Sequence, residues 1–312
     1  MKLSFVIPCY NAAQNIHLVV DEILDAMGTR PEVDYEIIMV NDCSPDHTSE
    51  VIHELAATND KMIAVDLAKN VGQANALLAG FGQATGDYVM TSDDDGQTPV
   101  GRVFDFLAEM DKGYDVVCAR YVDRHQPSLF RRIGSAVNRA MSDWLIEKPE
   151  GVYMAAFFMA KRFVIDEMIK YRHAFPYISA LILRVTQNVG NVDLVQRERA
   201  SGSSGYTIGK LFKLWLNGFT SVSIKPLRLA VKTGAVVAVI GFIWAIINVI
   251  RKCVLPHIAV GWTSIIAVLL FTQGLVLLFL GLIGEYIGRI YMGINDTPQY
   301  VIRSITRKED QT

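Results

Sequence analysis

The chain lacks the short motifs that mark several common protein classes. Its four cysteines are scattered and form no CxxC pair, so we expect reduced cytosolic thiols rather than a disulfide framework or a zinc site. No glycine-rich GxGxxG or GxxxxGK(S/T) loop follows the first apolar stretch, which excludes the usual dinucleotide and Walker sites. Residues 1–10 contain a six-residue apolar run, too short for the core of a signal peptide, so we expect the amino-terminal region to stay in the cytoplasm.

Charge is scarce and unevenly distributed. Charged residues make up 20% of the 312 positions and hydrophobic residues 51%, which excludes a disordered or purely nucleic-acid-binding chain. Residues 1–119 carry 20 acidic and 6 basic side chains, whereas residues 120–225 carry 8 acidic and 16 basic ones. Residues 226–312 carry 4 acidic and 8 basic ones. The net charge of −2 therefore hides an acidic region suited to a cation and a basic region suited to phosphates.

Two stretches near the carboxyl terminus are long enough to cross a membrane. Residues 229–250 contain a single charge, Lys232, and residues 258–283 contain none. Aromatic residues of the kind enriched at membrane interfaces lie in or at the ends of these stretches: Trp244, Trp262 and Tyr286. We therefore predict a transmembrane hairpin, with a buried hairpin of a globular protein as the alternative.

The charges that flank the two stretches predict the orientation of the hairpin. Seven Lys and Arg residues flank the two stretches, if Lys232 near the start of the first is counted, and two lie in the short loop, which favours cytoplasmic positions for both long ends. We expect a cytoplasmic domain over residues 1–225, two membrane helices within 226–290 and a cytoplasmic tail over 291–312. The protein would then be a multi-pass protein of the inner membrane with both termini in the cytoplasm.

Short apolar stretches alternate with helical patterns in the first part of the chain. Strands are predicted over residues 3–8, 35–40, 62–67 and 87–91, and helices over 15–27, 47–57 and 73–85. This alternation is typical of βαβ units, so we predict an α/β fold with a mostly parallel sheet. Ligands of such sheets bind at the carboxyl ends of the strands, which is where polar residues lie in this sequence.

Three adjacent carboxylates, Asp93 to Asp95, follow the fourth predicted strand. Because neighbouring carboxylates repel one another, a fold that gathers them usually binds a cation there. In an extended segment the first and third side chains point the same way, so Asp93 and Asp95 are candidates for binding one divalent ion together. The alternatives are a solvated acidic turn or an N-terminal cap for a helix over residues 100–110.

Six segments together resemble a known family. Four of them lie in the α/β region: Val6–Asn11, Val40–Thr48, Asn70–Ala76 and Gly86–Pro99. Their order and spacing are similar to those of the family 2 inverting glycosyltransferases, whose nucleotide-sugar domain carries a DxD metal motif. Arg197–Leu211 and Gly281–Tyr291 look like signatures of the polyisoprenyl-phosphate (undecaprenyl- or dolichyl-phosphate) branch, which is related to dolichol-phosphate mannose synthase.

The resemblance implies a GT-A-like fold and a sugar transfer with inversion. The donor would be a nucleotide diphosphate sugar, a UDP-sugar before a GDP-sugar, and the acceptor would be polyprenyl phosphate. The resemblance further implies Mg²⁺ or Mn²⁺ as cofactor, a product for cell-envelope glycan or lipid modification, and a homo-oligomer, a tetramer by analogy. No nucleic-acid partner is expected.

The resemblance also implies roles for individual residues. Those that would bind the donor nucleotide are Pro8, Tyr10, Asn11, Asp42, Asn70, Asp93 and Asp94. Those that would bind the metal are Asp93, Asp95 and Gln97. Those that would face the diphosphate or the acceptor phosphate are Arg120, Arg131, Arg132, Arg197, Ser204, Tyr206 and Lys210. The candidates for catalysis are Asp95, Arg199 and Glu150. A cation and arginines would neutralise the leaving diphosphate, although Arg120 and Arg132 also fit solvated surface positions.

The sequence departs from the family where a catalytic carboxylate is often assigned. Residues 151–161 contain no acid, and the nearest one is Glu150. Three interpretations stay open: Glu150 acts instead, no base is needed, or the sugar pocket belongs to an unusual subgroup. A phosphate acceptor with a second pKa of about 6 is already nucleophilic at neutral pH, so little proton abstraction is required. Further departures are Ala12, Asn41 and Gly96.

Two basic amphipathic segments are predicted to lie at the membrane surface, over residues 128–146 and 208–219. A helix that covers the sheet is the alternative for the first.

Two other functions also stay open. A processive polysaccharide synthase usually carries a QxxRW motif, whereas no Trp follows Gln196 to Arg199. A catalytically silent nucleotide-sugar-binding protein would bind nucleotide without turnover.

Overall fold

The computed structural model describes residues 1–123, 148–172, 176–195, 225–254, 262–294 and 298–308. The two segments predicted to lie at the membrane surface, 128–146 and 208–219, fall outside these ranges. The same holds for several residues of the predicted site: Arg131, Arg132, Arg197, Arg199, Ser204, Tyr206 and Lys210.

Strands and helices alternate along the chain as the sequence predicts. The first elements are β1 (Lys2–Cys9), α1 (Ile16–Gly28), β2 (Asp34–Asn41), α2 (Thr48–Thr58), β3 (Met62–Leu67), α3 (Gln73–Phe81), β4 (Tyr88–Thr91), a 3₁₀ turn (Val100–Arg102) and α4 (Val103–Met110). They are followed by β5 (Val116–Asp123), β6 (Phe158–Lys161), α5 (Arg162–Met168), α6 (Ile178–Val185), β7 (Val189–Val195), α7 (Lys225–Val254), α8 (Trp262–Ile294) and β8 (Ile302–Thr306). Helix α3 ends at Phe81, short of the predicted residue 85, because Thr85 instead donates hydrogen bonds to Glu36.

The described strands form one eight-stranded sheet in the order β7-β5-β6-β4-β1-β2-β3-β8. β1 is parallel to β2 and β4, and β2 is parallel to β3, whereas β6 runs antiparallel between β4 and β5. This confirms the predicted α/β fold with a mostly parallel sheet. We call the end of the sheet where β1 to β4 finish, at Cys9, Asn41, Leu67 and Thr91, its carboxyl end, and the opposite end its amino end.

Helices cover both faces of the sheet. On one face α1, α2 and α4 pack on Phe5 and Ile7 of β1, and on the other α3, α5 and α6 pack on Val6 and its neighbours. The central strands are therefore apolar on both faces, as is usual for parallel sheets. Helix α3 lies so close to β1 that a Cβ atom on Gly80 would sit 2.4 Å from Val6 Cγ1, which requires glycine there.

Two long helices, α7 and α8, follow the α/β domain. Their apolar side chains are exposed, as Phe242 (69%) and Leu277 (68%) show. Within the described residues one stretch, Phe271–Gly288, has the length and composition of a membrane span, and none of it is buried. This exposure argues against a buried hairpin of a globular protein, because such helices would place these side chains in a core.

A short strand near the carboxyl terminus joins the same sheet. β8 pairs antiparallel with β3, and Ser304 lies opposite Asp66. The sequence analysis predicted only a tail over residues 291–312, without a strand. A strand of five residues carries a weak periodic signal, and Ser304 lies 238 residues after its partner Asp66, so no local pattern reveals the pairing.

Candidate functional site

Polar loops meet at the carboxyl end of the sheet, as the parallel strand order predicts. The backbone NH of Tyr10, just after β1, donates a hydrogen bond to Asp94 Oδ2 at 2.9 Å. The next NH, that of Asn11, donates to Ser44 Oγ at 2.7 Å. The loop after β1 therefore connects the loop after β4 with the loop after β2. Pro8, predicted to bind the donor nucleotide, lies in β1 just before this loop.

Two residues of these loops have a left-handed backbone. Asn11 has a φ of 56° and Cys43 a φ of 51°, both uncommon for residues other than glycine. The Asn11–Ser44 hydrogen bond links the two strained turns. Such backbone conformations concentrate at functional sites, which supports a ligand role for this end of the sheet.

Asp42, the first residue after β2, is buried, with an exposure of 3%. Its carboxylate oxygens accept hydrogen bonds from the backbone NH groups of Val71 and Gly72, at 2.7 and 2.8 Å. Asn70 Nδ2 donates to the main-chain oxygen of Asp42 at 3.2 Å. Burial raises the pKa of Asp42, and the two backbone hydrogen bonds oppose that rise. Asp42 thus joins the loops after β2 and β3.

The outer two carboxylates of the acidic triplet bond to nearby polar groups. Asp93 accepts hydrogen bonds from Gln73 Nε2 at 2.8 Å and from Thr98 Oγ1 at 3.2 Å. Asp95 Oδ1 accepts one from the backbone NH of Gln97 at 3.0 Å. Asp93 therefore connects the loop after β4 with the first turn of α3.

The structure does not support the alternative that the triplet caps a helix. The 3₁₀ turn before α4 begins at Val100, and the residue before it, Pro99, makes no capping side-chain hydrogen bond. The donors Gln97 NH and Thr98 Oγ1, whose hydrogen bonds the triplet accepts, lie before this turn.

Asp94 contacts the loop after β1, where its carboxylate accepts the Tyr10 hydrogen bond. Burial, together with the negative charges of Asp93 and Asp95, raises the pKa of Asp94 to about 6. The fold therefore crowds like charges at the carboxyl end of the sheet. A cation bound beside the triplet would relieve this repulsion.

The oxygen atoms of the triplet suit a hard divalent cation. Asp93, Asp95 and Gln97 carry carboxylate and amide oxygens, the ligand type that Mg²⁺ and Mn²⁺ prefer. Across the ranges that the structure describes, no three or more His, Cys, Asp and Glu side chains are grouped as a metal site. A Mg²⁺ site commonly takes only one or two carboxylates and is completed by substrate phosphates and water. The residues present therefore fit a cation that binds together with a diphosphate.

Asp46 organises the loop after β2, and the sequence analysis did not name it as a site residue. Its Oδ1 accepts hydrogen bonds from Ser44 Oγ at 2.6 Å and from Thr48 Oγ1 at 2.5 Å, and its Oδ2 accepts one from the backbone NH of Ala13 at 3.3 Å. Burial favours a higher pKa, but these hydrogen bonds outweigh it and lower the pKa of Asp46. The sequence did contain a signal for this role, because Ser44 and Thr48 flank Asp46 and such residue types form hydrogen bonds to nearby groups in turns.

Glu150 is exposed and lies in the turn that leads toward β6. Because β6 runs antiparallel to β4, the residues before β6 approach the carboxyl end of the sheet. Thr91, the last residue of β4, donates a hydrogen bond to the Ala156 carbonyl at 2.5 Å. The structure thus brings Ala156, shortly before β6, to the end of β4 that precedes the acidic triplet.

Arg120, predicted to face a phosphate, is held by an aspartate of the neighbouring strand. Its Nη2 donates to Asp193 Oδ2 at 2.8 Å, and its Nε also contacts Asp193. The parallel pairing of β5 with β7 places the two residues opposite each other. Its hydrogen bond and charge lower the pKa of Asp193, so the positive charge of Arg120 is already balanced.

The fold and the site define an α/β domain of the GT-A type, with carboxylates after the fourth strand and a buried aspartate after the second. The chain belongs to glycosyl transferase family 2, whose model matches residues 4–169. Residues 225–290 match the model of the GtrB C-terminal hairpin, which together with the apolar part of α8 indicates membrane association. These matches confirm the resemblance drawn from the motifs, and the chain is a glycosyltransferase.

Curated relatives match along nearly the whole chain. The chain is 33% identical over 307 residues to the undecaprenyl-phosphate 4-deoxy-4-formamido-L-arabinose transferase of Proteus mirabilis, covering 97% of this chain and 94% of the relative. It is 30% identical over 303 residues to the glycosyltransferase YkcC of Bacillus subtilis, again covering 97% of this chain and 94% of the relative.

Solved structures share the fold. Glucosyl-3-phosphoglycerate synthase of Mycobacterium tuberculosis, in complex with Mn²⁺, UDP-glucose and phosphoglyceric acid, superposes with a TM-score of 0.50 at 17% identity, over 70% of this chain and 77% of that one. Mannosyl-3-phosphoglycerate synthase of Rubrobacter xylanophilus gives a TM-score of 0.50 at 17% identity, over 73% and 74%. At these identities the likeness shows the fold alone.

Proposed function

We propose that the protein transfers one sugar from a nucleotide diphosphate donor to polyprenyl phosphate, with inversion and with Mg²⁺ or Mn²⁺, for cell-envelope glycan or lipid modification. The observation that carries the proposal is the crowding of the carboxylates of Asp93 to Asp95 beside the loop of Asp42 in a family 2 domain. Relatives named as undecaprenyl-phosphate sugar transferases support the acceptor. A UDP-sugar is the donor we favour, because a structure of the same fold holds UDP-glucose and Mn²⁺.

In this proposal the nucleotide lies across the carboxyl end of the sheet. The base lies near Tyr10, Asn11 and Asp42. Each carboxylate oxygen of Asp42 accepts one hydrogen bond, from Val71 or Gly72, and so has a second lone pair with which it can accept another. Asp93, Asp95 and Gln97 hold the divalent cation, which when bound supplies charge stabilisation for the leaving diphosphate. Asp94 keeps the loop after β1 in place through Tyr10.

The acceptor phosphate needs little help from a base. Its second pKa is about 6, so at neutral pH it is largely dianionic. A phosphate oxygen bonds to the anomeric carbon, the bond from that carbon to the diphosphate breaks, and no proton has to leave the acceptor. We therefore expect Glu150→Gln to retain transfer within about threefold, since positioning supplies most of the catalysis. A loss of about 100-fold or more, the range of lost acid–base catalysis, would instead assign Glu150 as the base.

The pairing of β8 with β3 supports a membrane topology with two crossings. Residues 1–195 and 302–306 contribute strands to one sheet, so they lie on the same side of any membrane. The chain between them must therefore cross an even number of times. Helices α7 and α8 are the elements available for these crossings, and the flanking basic residues favour the cytoplasm for the domain and both termini.

The test is a transfer assay with membranes that contain the protein. We expect one labelled nucleotide sugar from a broad panel to yield a glycolipid with undecaprenyl phosphate, and chelation of divalent cations to abolish the product. Asp95→Ala should lower transfer by about 100-fold or more with the thermal midpoint retained, because the leaving diphosphate loses its charge stabilisation. Glu54→Ala, which removes an exposed carboxylate of α2, is the matched control and should leave transfer unchanged.

Two outcomes of this assay would contradict the proposal. The first is the absence of any metal-dependent glycolipid across the whole donor panel. The second is full activity of Asp95→Ala, which would remove the metal assignment even if transfer occurs.

A further inference from the structure

Asp66 is a buried carboxylate of β3 on which four donors from three other elements converge. Its Oδ1 accepts hydrogen bonds from Asn41 Nδ2 of β2 at 2.7 Å and from Ser49 Oγ of α2 at 2.8 Å. Its Oδ2 forms a hydrogen bond with His53 of α2 and accepts another from Ser304 Oγ of β8 at 3.0 Å. Burial favours a higher pKa, but the combined hydrogen bonds outweigh it and hold the pKa of Asp66 below its usual range.

Asn41 carries this contact into the site. Its Nδ2 donates to Asp66, and its Oδ1 accepts the backbone NH of Ser44 at 3.0 Å. Ser44 in turn accepts the NH of Asn11, and the residue after Asn41 is the buried Asp42. An amide suits this position, because a second carboxylate 2.7 Å from Asp66 would repel it, whereas the amide donates a hydrogen bond.

A second contact links β8 to the other loop that holds Asp42. The backbone NH of Ala68, just after β3, donates to the Val301 carbonyl at 2.8 Å, and Arg303 Nη2 donates to the Ala68 carbonyl at 3.2 Å. Ala68 begins the loop whose Val71 and Gly72 NH groups bond to the Asp42 carboxylate. β8 therefore supports both sides of Asp42, through Asp66 on one side and through Ala68 on the other.

We propose that Asp66 is a positioning residue that couples β8, the strand that follows the hairpin, to the two loops that hold Asp42, so that a seated β8 sets the affinity for the nucleotide. The effect on nucleotide affinity rests on the proposed function. The effect of β8 on the order of the two loops does not depend on it. Release of β8 weakens nucleotide binding and leaves the chemical step unchanged, because neither Ser304 nor Asp66 contacts the acidic triplet in the described hydrogen bonds. The hairpin and the donor pocket thereby communicate through one strand.

The first experiment uses three variants of β8 in the full-length protein. Ser304→Ala removes one donor to Asp66, Ser304→Thr keeps a hydroxyl there, and Thr306→Ala changes the same face of β8 opposite Ala64 as a matched control. We expect Ser304→Ala to raise the donor KM and the Kd of UDP with Mn²⁺ by about three- to tenfold, the range of the net contribution of one ordinary hydrogen bond, with kcat within about twofold of the parent. Ser304→Thr and Thr306→Ala should stay within about twofold of the parent in KM.

The second experiment measures backbone hydrogen exchange of the same variants without nucleotide. We expect Ser304→Ala to exchange faster than the parent over residues 41–48 and 68–73, with no change in β1 or β4, and Thr306→Ala to match the parent in both loops. Unchanged exchange in the two loops overturns the coupling, whatever the transfer assay gives. Faster exchange in a protein whose parent binds no nucleotide supports the coupling and rejects the proposed function, so the two failures are distinguishable.

A charge swap tests the Asn41–Asp66 contact itself. Asn41→Asp places two carboxylates side by side and should weaken UDP binding by about tenfold or more, whereas the double variant Asn41→Asp with Asp66→Asn restores one donor and one acceptor and should recover part of that loss. A merely structural role predicts additive losses in the double variant. Additive losses, or a lower kcat with an unchanged donor KM, would overturn the assignment of Asp66 as a positioning residue.

Discussion

Glu36 at the amino end of the sheet and Asp94 at its carboxyl end are carboxylates removed from water whose pKa values shift in opposite directions. At the amino end Glu36 is 5% exposed, pairs with Lys2 Nζ at 2.7 Å and accepts hydrogen bonds from Ser4 and Thr85. Burial favours a higher pKa for Glu36, but these partners outweigh it and lower the pKa. At the carboxyl end burial and two acidic neighbours raise the pKa of Asp94 to about 6.

The difference separates structural charge from functional charge. A carboxylate whose partners more than offset its burial contributes to the stability of the fold. A carboxylate whose pKa is raised by burial and by acidic neighbours costs stability, and a fold keeps such a group where a ligand relieves the cost. Glu36 belongs to the first kind and Asp94 to the second.

The largest effect that tests this contrast is stabilisation by ligand. We expect UDP with Mn²⁺, at 100 times the Kd, to raise the free energy of unfolding of the parent by about 2.7 kcal/mol. The gain should persist in Glu36→Gln and disappear in Asp95→Ala, because only the second variant removes a ligand of the cation. Thermal-shift measurements with UDP alone, Mn²⁺ alone and both together provide the check. Equal gains in both variants would show that the triplet does not bind the ligand.

A smaller effect is expected at the amino end. Glu36→Gln should lower the free energy of unfolding by about 2 kcal/mol at pH 7 and leave transfer unchanged, because it weakens charge-assisted hydrogen bonds away from the site. The folded pKa of Glu36 lies below the reference value of 4.5, so its stabilisation is present above pH 4.5 and is lost as the pH falls through the folded pKa.

Urea unfolding of both proteins at several pH values measures this prediction. The difference between parent and Glu36→Gln should be constant at neutral pH and shrink in acid. A difference that grows as the pH falls would contradict the assignment of Glu36 as a stabilising carboxylate.

The smallest effect concerns the middle carboxylate. Asp94→Asn keeps an acceptor for the Tyr10 NH and removes one of three crowded charges, so we expect the free energy of unfolding without metal to rise by about 1 kcal/mol at pH 7. Chemical denaturation in the presence of a chelator measures it. A destabilised variant would show that the charge of Asp94 is already compensated, and the contrast between Glu36 and Asp94 would fail.

Much of the fold was predictable from local pattern. The alternation of apolar stretches with helical periodicity predicted the strands and helices up to α4, and the parallel order placed Asp42 and the acidic triplet at one end of the sheet. The two long apolar stretches, with one charge between them, predicted two long helices, and the apolar side chains of these helices are exposed. These features follow from periodicity, which a short window of sequence contains.

The contacts that decide the role of individual side chains were not predictable. Arg120 was predicted to face a phosphate, and the fold adds Asp193, 73 residues later on the neighbouring strand, as its partner. In the sequence Asp46 is only one residue of the segment Val40–Thr48, whereas in the structure its carboxylate accepts a hydrogen bond from the loop after β1. Each contact depends on which strands become neighbours, and periodicity within one strand contains no such information.

By itself, the sequence determined the α/β architecture, the family, the position of the acidic triplet and the presence of two long apolar helices, because strand and helix periods and motif spacing are local properties of the chain. Only the tertiary structure decided that Asp94 bonds to the loop after β1, that β8 returns to the sheet and that Asp66 joins that strand to the loop of Asp42. The physical reason is distance along the chain: Ser304 and Asp66 lie 238 residues apart, and only the folded sheet brings them within hydrogen-bonding distance.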